Sequence, residues 1–106
     1  MGILTVFKQT NINKGITDFR NMSGALLLDV RSPREYREGH IPGSENIPLQ
    51  DLDEVEFVAE DKNTAIFVYC RSGSRSRQAE DDLRYMGYQN VTNIGGIAAY
   101  TGELAY

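Results

Sequence analysis

An α/β fold built on a mainly parallel sheet is the architecture this sequence predicts, and three observations carry it. Residues 25–30 and 65–69 are almost continuously apolar, the pattern of strands covered on both faces. Segments with helical spacing alternate with these strand-like runs along the chain, which is the signature of β-α-β units. The length, 106 residues, suits one ordinary domain, residues 1–106, and is too short for two comfortable ones.

Taken in order, residues 3–7 (Ile-Leu-Thr-Val-Phe) are apolar and partly β-branched, and predict a first strand. Thr10, Asn11 and Asn13 offer turn and N-cap chemistry, and Ile16, Phe19 and Met22 then fall at helical spacing, with Gly24 as the stop. The apolar run 25–30 is the second strand. Ser32 and Glu35 form a capping box with Pro33 at the first helical position, and Gly39 is placed to end this short helix in the left-handed conformation. Residues 40–43 make a tight turn, residues 44–47 a brief strand stopped by Pro48. Leu49, Leu52, Val55 and Val58 recur every third residue and predict another helical stretch. The central strand, 65–69, follows a polar break at Lys62 and Asn63. Ala79, Leu83 and Met86 mark the buried face of a longer helix ended by Gly87. Residues 91–94 read as the last strand, and Gly95-Gly96 allow a sharp turn into residues 97–100.

Composition narrows the function. Apolar and charged fractions of 41% and 25% are those of a globular chain, and a net charge of −4 argues against bulk affinity for nucleic acid or anionic lipid. The apolar runs are too short for a membrane span, and the N-terminus lacks the pattern of a signal peptide. A single cysteine needs no oxidising compartment, so a cytoplasmic protein is expected. One Cys and one His cannot make the usual zinc shell, and no dinucleotide fingerprint is present, so neither a metal nor a cofactor is expected.

The chemistry concentrates at Cys70. The central strand delivers it into the loop Arg71-Ser72-Gly73-Ser74-Arg75-Ser76, directly ahead of a helical pattern. In open α/β sheets ligands bind beyond the carboxyl ends of the strands. Asp29 and Arg31 follow one strand, Cys70 another and Gly95-Gly96 a third, so all can meet on one rim. If residues 71–75 curl around the sulfur, amide N–H groups and the charges of Arg71 and Arg75 lower the thiol pKa from about 8.5 toward the roughly 3.5–7.5 of activated cysteines. No separate base is then required. The plain alternative is a small buried residue at a strand end. Asp29 and Arg31 either brace neighbouring loops as an ion pair or take part in substrate binding. His40, between Gly39 and Gly43, fits a structural role at a corner.

These motifs resemble a single-domain rhodanese-type sulfurtransferase. Residues 28–31 (Leu-Asp-Val-Arg), Glu35 and residues 39–44 (Gly-His-Ile-Pro-Gly-Ser) are similar to the family's first signature, and residues 70–76 to its active-site loop. Leu83, Gly87-Tyr88 and Gly95-Gly96-Ile97 resemble its C-terminal signature, except that Tyr100 stands nearest to the position where the family has Trp. The resemblance implies a rhodanese-like α/β fold with a central five-stranded parallel sheet flanked by helices on both faces. It implies a Cys70 that takes sulfur from thiosulfate or a persulfide donor and passes it to cyanide, a thiol or a protein acceptor. Cys70 is then catalytic, Arg71, Ser72, Gly73, Ser74 and Arg75 bind substrate, and Asp29, Arg31 and Ser76 support them.

Three rivals share the fold or the loop. Cell-cycle dual-specificity phosphatases place one residue more between Cys and Arg; here Arg75 follows Cys70 after four residues and Arg77 after six. The shorter loop makes a smaller cradle, better suited to one extra sulfur atom than to a phosphoryl group. An arsenate reductase on the same fold is the second. A persulfide carrier or a sulfur-sensing docking module, working without turnover, is the third.

Overall fold

The computed structural model describes residues 11–106, and the expected first strand at residues 3–7 lies outside the described residues. The elements are α1 (Ile12–Arg20), β1 (Leu26–Asp29), α2 (Pro33–Glu38), β2 (Glu45–Asn46), a 3-10 stretch at Leu49–Phe57, β3 (Ala65–Cys70), α3 (Ser74–Tyr85), β4 (Asn90–Gly96) and a 3-10 turn at Ile97–Ala99. The strands lie in the order β2-β1-β3-β4, and all neighbours are parallel. The described sheet therefore has four strands, one fewer than the five implied by the resemblance. The segment expected to supply another, residues 3–7, is not among those described.

Each strand alternates its side chains between two apolar layers, which is why β1 and β3 read as unbroken apolar runs. Leu26, Leu28, Ile66, Val68 and Cys70 face one layer, closed by Leu52 and Val55 of the 3-10 stretch and by Ala79 and Leu83 of α3. Leu27, Phe67, Tyr69 and Ile94 face the other, closed by Ile12 and Ile16 of α1. Tyr100 packs against this second layer, filling an apolar position.

Local chemistry sets the helix ends. Asn11 caps α1, its side chain accepting from the amides of Asn13 and Lys14. The helix stops at Arg20, so Met22, expected on its buried face, is instead exposed. The three-residue apolar spacing from Leu49 is the period of a 3-10 helix, and that is the conformation it takes. In α2 the capping box forms as predicted: the Glu35 amide donates to the Ser32 hydroxyl and the Ser32 amide to the Glu35 carboxylate. Gly39 ends α2 at φ 149° and ψ 133°, outside the left-handed helical basin expected for it. Its carbonyl is turned instead to accept from Arg31 Nη2 at 2.8 Å.

Arg31 is buried, as is Asp29, and together they form an ion pair at the carboxyl edge of the sheet. Asp29 accepts from the Arg31 amide at 2.9 Å, from Nε at 3.0 Å and from Nη2 at 2.7 Å. The guanidinium also lies 5.8 Å from the centre of the Tyr69 ring. Beyond it, His40 exchanges backbone hydrogen bonds with Ala105, and its ring stacks on Tyr36 with Nδ1 2.9 Å from the Tyr36 carbonyl oxygen. The structural role expected of His40 is the one found. Among the described residues no helix is long and apolar enough to cross a membrane.

Replacing one member of a buried pair strands the other charge, at a cost of about 3–5 kcal/mol, a large share of the roughly 5–15 kcal/mol that hold a domain together. Arg31→Met is therefore expected to lower the urea midpoint sharply, and Asp29→Leu added to it to restore part of the loss. A double variant no more stable than Arg31→Met would show that packing, not the stranded charge, sets the cost.

Candidate active site

The rim expected from the sequence forms. In the sheet register Asp29 lies beside Tyr69, Tyr69 beside Gly95, and Cys70 beside Gly96. Tyr69 is anchored on the opposite face: its hydroxyl accepts from the Ile41 amide at 3.1 Å and donates to the Ser44 hydroxyl at 3.2 Å. Burial, reinforced by the nearby Asp29 charge, pushes the Tyr69 phenol far above its ordinary pKa, so it stays neutral.

Cys70 ends β3 and is fully buried. The chain then turns through Arg71, Ser72 and Gly73 into α3, with Gly73 at φ 107°, a conformation that L side chains rarely adopt. That turn aims the Gly73 amide at Cys70 Sγ from 3.0 Å, and the first turn of α3 brings the Ser76 hydroxyl to 3.4 Å. Burial alone would raise the thiol pKa. Hydrogen bonds from the Ser76 hydroxyl and from the amides of Ser76, Gly73 and Ser72 outweigh it, and the thiol lies below its ordinary value. Among the described residues His40 is engaged with Tyr36, and the sulfur's hydrogen-bond donors are loop amides and Ser76. The arrangement lowers the thiol pKa through loop amides and a hydroxyl rather than through a general base.

Two residues of β4 complete this pocket, Asn93, which the sequence did not single out, and Gly96, which it placed on the rim. A register shift between β3 and β4 sets Val68 beside Asn93 and Tyr69 beside Gly95, leaving Ile94 as the extra residue of a bulge. Asn93 Oδ1 thereby accepts from the Gly95 amide at 3.0 Å and from the Ser76 hydroxyl at 2.7 Å. A hydroxyl carries one proton, so Asn93, the Gly73 carbonyl oxygen at 3.1 Å and the Cys70 sulfur compete for it. The shorter contact places it on Asn93 while Cys70 is a neutral thiol. Gly96 is the other: a Cβ there would stand 2.2 Å from the Arg71 carbonyl oxygen and 2.7 Å from Ser72 Cα. Only glycine lets β4 approach the loop, whose Arg71 carbonyl also accepts from the Ala98 amide at 3.2 Å.

The loop residues divide. Arg71, Ser72 and Ser74 are exposed. Arg75 turns toward α2 and forms a two-pronged pair with Glu35, Nη1 to Oε1 at 2.8 Å and Nη2 to Oε2 at 3.0 Å. Those bonds, with the Ser32 bonds of the capping box, hold the Glu35 carboxyl down at about 2 against an ordinary 4.5. Asp29 and Arg31 engage one another and the Gly39 carbonyl, the bracing reading of that pair. Glu35 carried a visible capping signal, but nothing in the sequence shows that its carboxylate reaches Arg75, 40 positions away.

The structure thus presents a parallel α/β sheet with an amide-cradled cysteine at the carboxyl end of an inner strand. Comparison with known proteins agrees. The family model for the rhodanese-like domain matches residues 12–103. Thiosulfate sulfurtransferase PspE of Escherichia coli is 42% identical over 71 residues, covering 66% of this chain and 68% of that protein. The putative sulfur carrier protein YrkF of Bacillus subtilis is 39% identical over 80 residues, and the match covers 73% of this chain but only 42% of that protein. A solved Escherichia coli structure, described as rhodanese with anions, superposes with a TM-score of 0.72 at 35% identity, covering 76% of this chain and 96% of that one. The chain belongs to the rhodanese-like domain family.

Two outcomes test the site. Ser76→Ala removes a donor to the thiolate and is expected to raise the Cys70 pKa by about one unit, the worth of one net hydrogen bond. Asn93→Ala removes the nearest acceptor competing with the sulfur and is expected to lower it. Thiolate absorbance against pH, with Cys70→Ser as blank, reads both; shifts of the same sign would refute the competition. The second outcome concerns acid stability. A folded pKa of about 2 against an ordinary 4.5 makes the Glu35 contribution fully present above about 4.5 and lost as pH falls toward 2. Glu35→Gln should therefore weaken the protein at neutral pH and converge with wild type near pH 2 in denaturant titrations.

Proposed function

We propose that this protein is a sulfurtransferase in which Cys70 alternates between thiolate and persulfide. The observation that carries this reading is the Gly73 amide at 3.0 Å from Cys70 Sγ, joined by Ser76, in a loop that needs no further base. The Cys70 thiolate attacks the outer sulfur of thiosulfate. A new S–S bond forms, the bond between the two thiosulfate sulfurs breaks, and sulfite leaves with the electron pair. Cyanide, a thiol or a protein acceptor then attacks the outer sulfur of the persulfide and Cys70 departs as thiolate. The amides that hold the thiolate are placed to hold the persulfide charge as well.

The two arginines of the loop have different tasks. Arg75 is engaged by Glu35 and fixes the loop to α2. Arg71 is exposed, lines a cleft between the loop and the end of β4, and binds the sulfonate end of the donor. Arg75 is committed to Glu35 and follows Cys70 after four residues rather than five, which disfavours the phosphatase reading. Carriage of sulfur to a protein partner is the second reading, and the full burial of Cys70 favours it, since a partner that displaces the loop would expose the sulfur. A single cysteine suits a reducing compartment, and we place the protein in the cytoplasm on that ground.

Intact mass after incubation with thiosulfate tests the reading. A gain of one sulfur atom, removed by cyanide and absent in Cys70→Ser, is the expected result; an unmodified wild type, or the same gain in Cys70→Ser, refutes it. Sulfur gained but released only to a protein would favour the carrier. Arg71→Ala is expected to lower kcat/KM for thiosulfate roughly 10- to 100-fold, the worth of a charged hydrogen bond, and to spare an uncharged donor. Arg75→Ala is expected to impair both donors alike.

A further inference from the structure

The pole of the sheet away from Cys70 carries an acidic surface with an aromatic side chain standing out of it. Residues 51–61 hold six carboxylates and no cation, so the rest of a chain whose net charge is −4 is net positive. The 3-10 stretch sets how these groups are displayed. Its three-residue turn places Leu52 and Val55 in one buried row. Glu54 and Phe57, also three apart, stand in a second row, and Asp53 and Glu56 in a third; all four are exposed. Phe57 is 86% exposed, and Val58 next to it 47%. Glu60 and Asp61 follow, both exposed. The segment is fastened to the end of α3 and the start of β4. The Tyr88 hydroxyl donates to the Ala59 carbonyl oxygen at 2.5 Å and the Gln89 amide to that of Lys62 at 3.0 Å. Lys62 pairs with Glu56 and lies over the Tyr88 ring. Asp53, Glu54, Glu60 and Asp61 form no ion pair among the described residues.

We infer that this pole is a docking surface for a basic polypeptide, which seats an apolar side chain against Phe57 and sets its cations on the surrounding carboxylates. Phe57 takes no part in either core layer, so its apolar area stays in water until a partner covers it. An aromatic anchor with a charged rim is the anatomy of a protein interface. Charge then selects the partner. Carboxylates without counterions attract a cationic chain and repel anionic lipid and nucleic acid. A second copy meeting this face across a twofold axis would set the same carboxylates against one another, which disfavours self-association here. β3 runs from Ala65 at this pole to Cys70 at the other, a rise of about 17 Å, so a docked partner leaves the sulfur loop uncovered. The surface is separate from the Cys70 site, and the inference does not depend on the sulfurtransferase reading.

The probes are two synthetic amphipathic peptides, one of leucine and lysine and one of leucine and glutamate. Each is titrated into the full chain at about 0.15 M salt and followed by backbone amide chemical shifts. The lysine peptide is expected to bind with shifts centred on residues 53–61, and the glutamate peptide to leave the spectrum unchanged. Phe57→Ser alters an exposed side chain and should weaken binding about tenfold or more, the worth of an aromatic anchor. Glu54→Lys should weaken it about three- to tenfold and flatten its dependence on salt. Binding that Phe57→Ser leaves intact, shifts centred on residues 71–77, or a lysine peptide that does not bind overturns the inference. Sedimentation should give wild type and Phe57→Ser the same assembly state. A dimer formed by wild type alone would assign the surface to a second copy and overturn the inference as well.

Discussion

The buried pair of Asp29 and Arg31 is the interaction on which the working edge of the sheet depends. Its cost is desolvation of two charges, offset by three distinct donors converging on one carboxylate. Its return is positional. From the end of β1 the guanidinium reaches the Gly39 carbonyl, which ends α2, and lies near Tyr69, the residue before Cys70. Tyr69 in turn fixes the backbone at Ile41 and the hydroxyl of Ser44. One ion pair thus ties together the strand, the helix and the corner that flank the cysteine, and the C-terminal residues follow through the bridge between His40 and Ala105.

The loop itself is held by pieces brought from elsewhere in the chain. Glu35 fixes Arg75 from α2, Asn93 holds Ser76 from β4, and Gly96 lets β4 run against the loop backbone. The anion-holding amides are therefore rigid because their neighbours are, and charge at the sulfur is met by dipoles already in place. Among the described residues, the groups left mobile beside the loop include the hydroxyl proton of Ser76 and the exposed side chain of Arg71.

Where the sequence was legible, the signal was local. The apolar runs of β1 and β3, the capping box of Ser32 and Glu35, the three-residue rhythm from Leu49 and the lone cysteine each announce their structure within a few positions. Helix ends were less well marked: Met22 keeps the spacing of α1 yet lies past its end, because Asn21 and not Gly24 closes the helix. The contacts that matter most at the site were not legible at all. Arg75 finds Glu35 across 40 positions, and Asn93 finds Ser76 only because a bulge displaces β4 at Ile94. Neither follows from composition or spacing; both follow from sheet register, which a sequence read alone does not contain.

Ser76 comes from a helix and Asn93 from a strand that pairs with β3 through residues distant in the chain. The donors that activate the sulfur come from within six residues of it, whereas its burial comes from the layers packed around β3 and β4. Activation is therefore local, and shelter is supplied by the rest of the fold. A chain that has closed the loop but not docked β4 carries a thiol open to solvent and to oxidants, able to cross-link to a neighbour, whereas in the finished protein only what enters past the loop meets the sulfur.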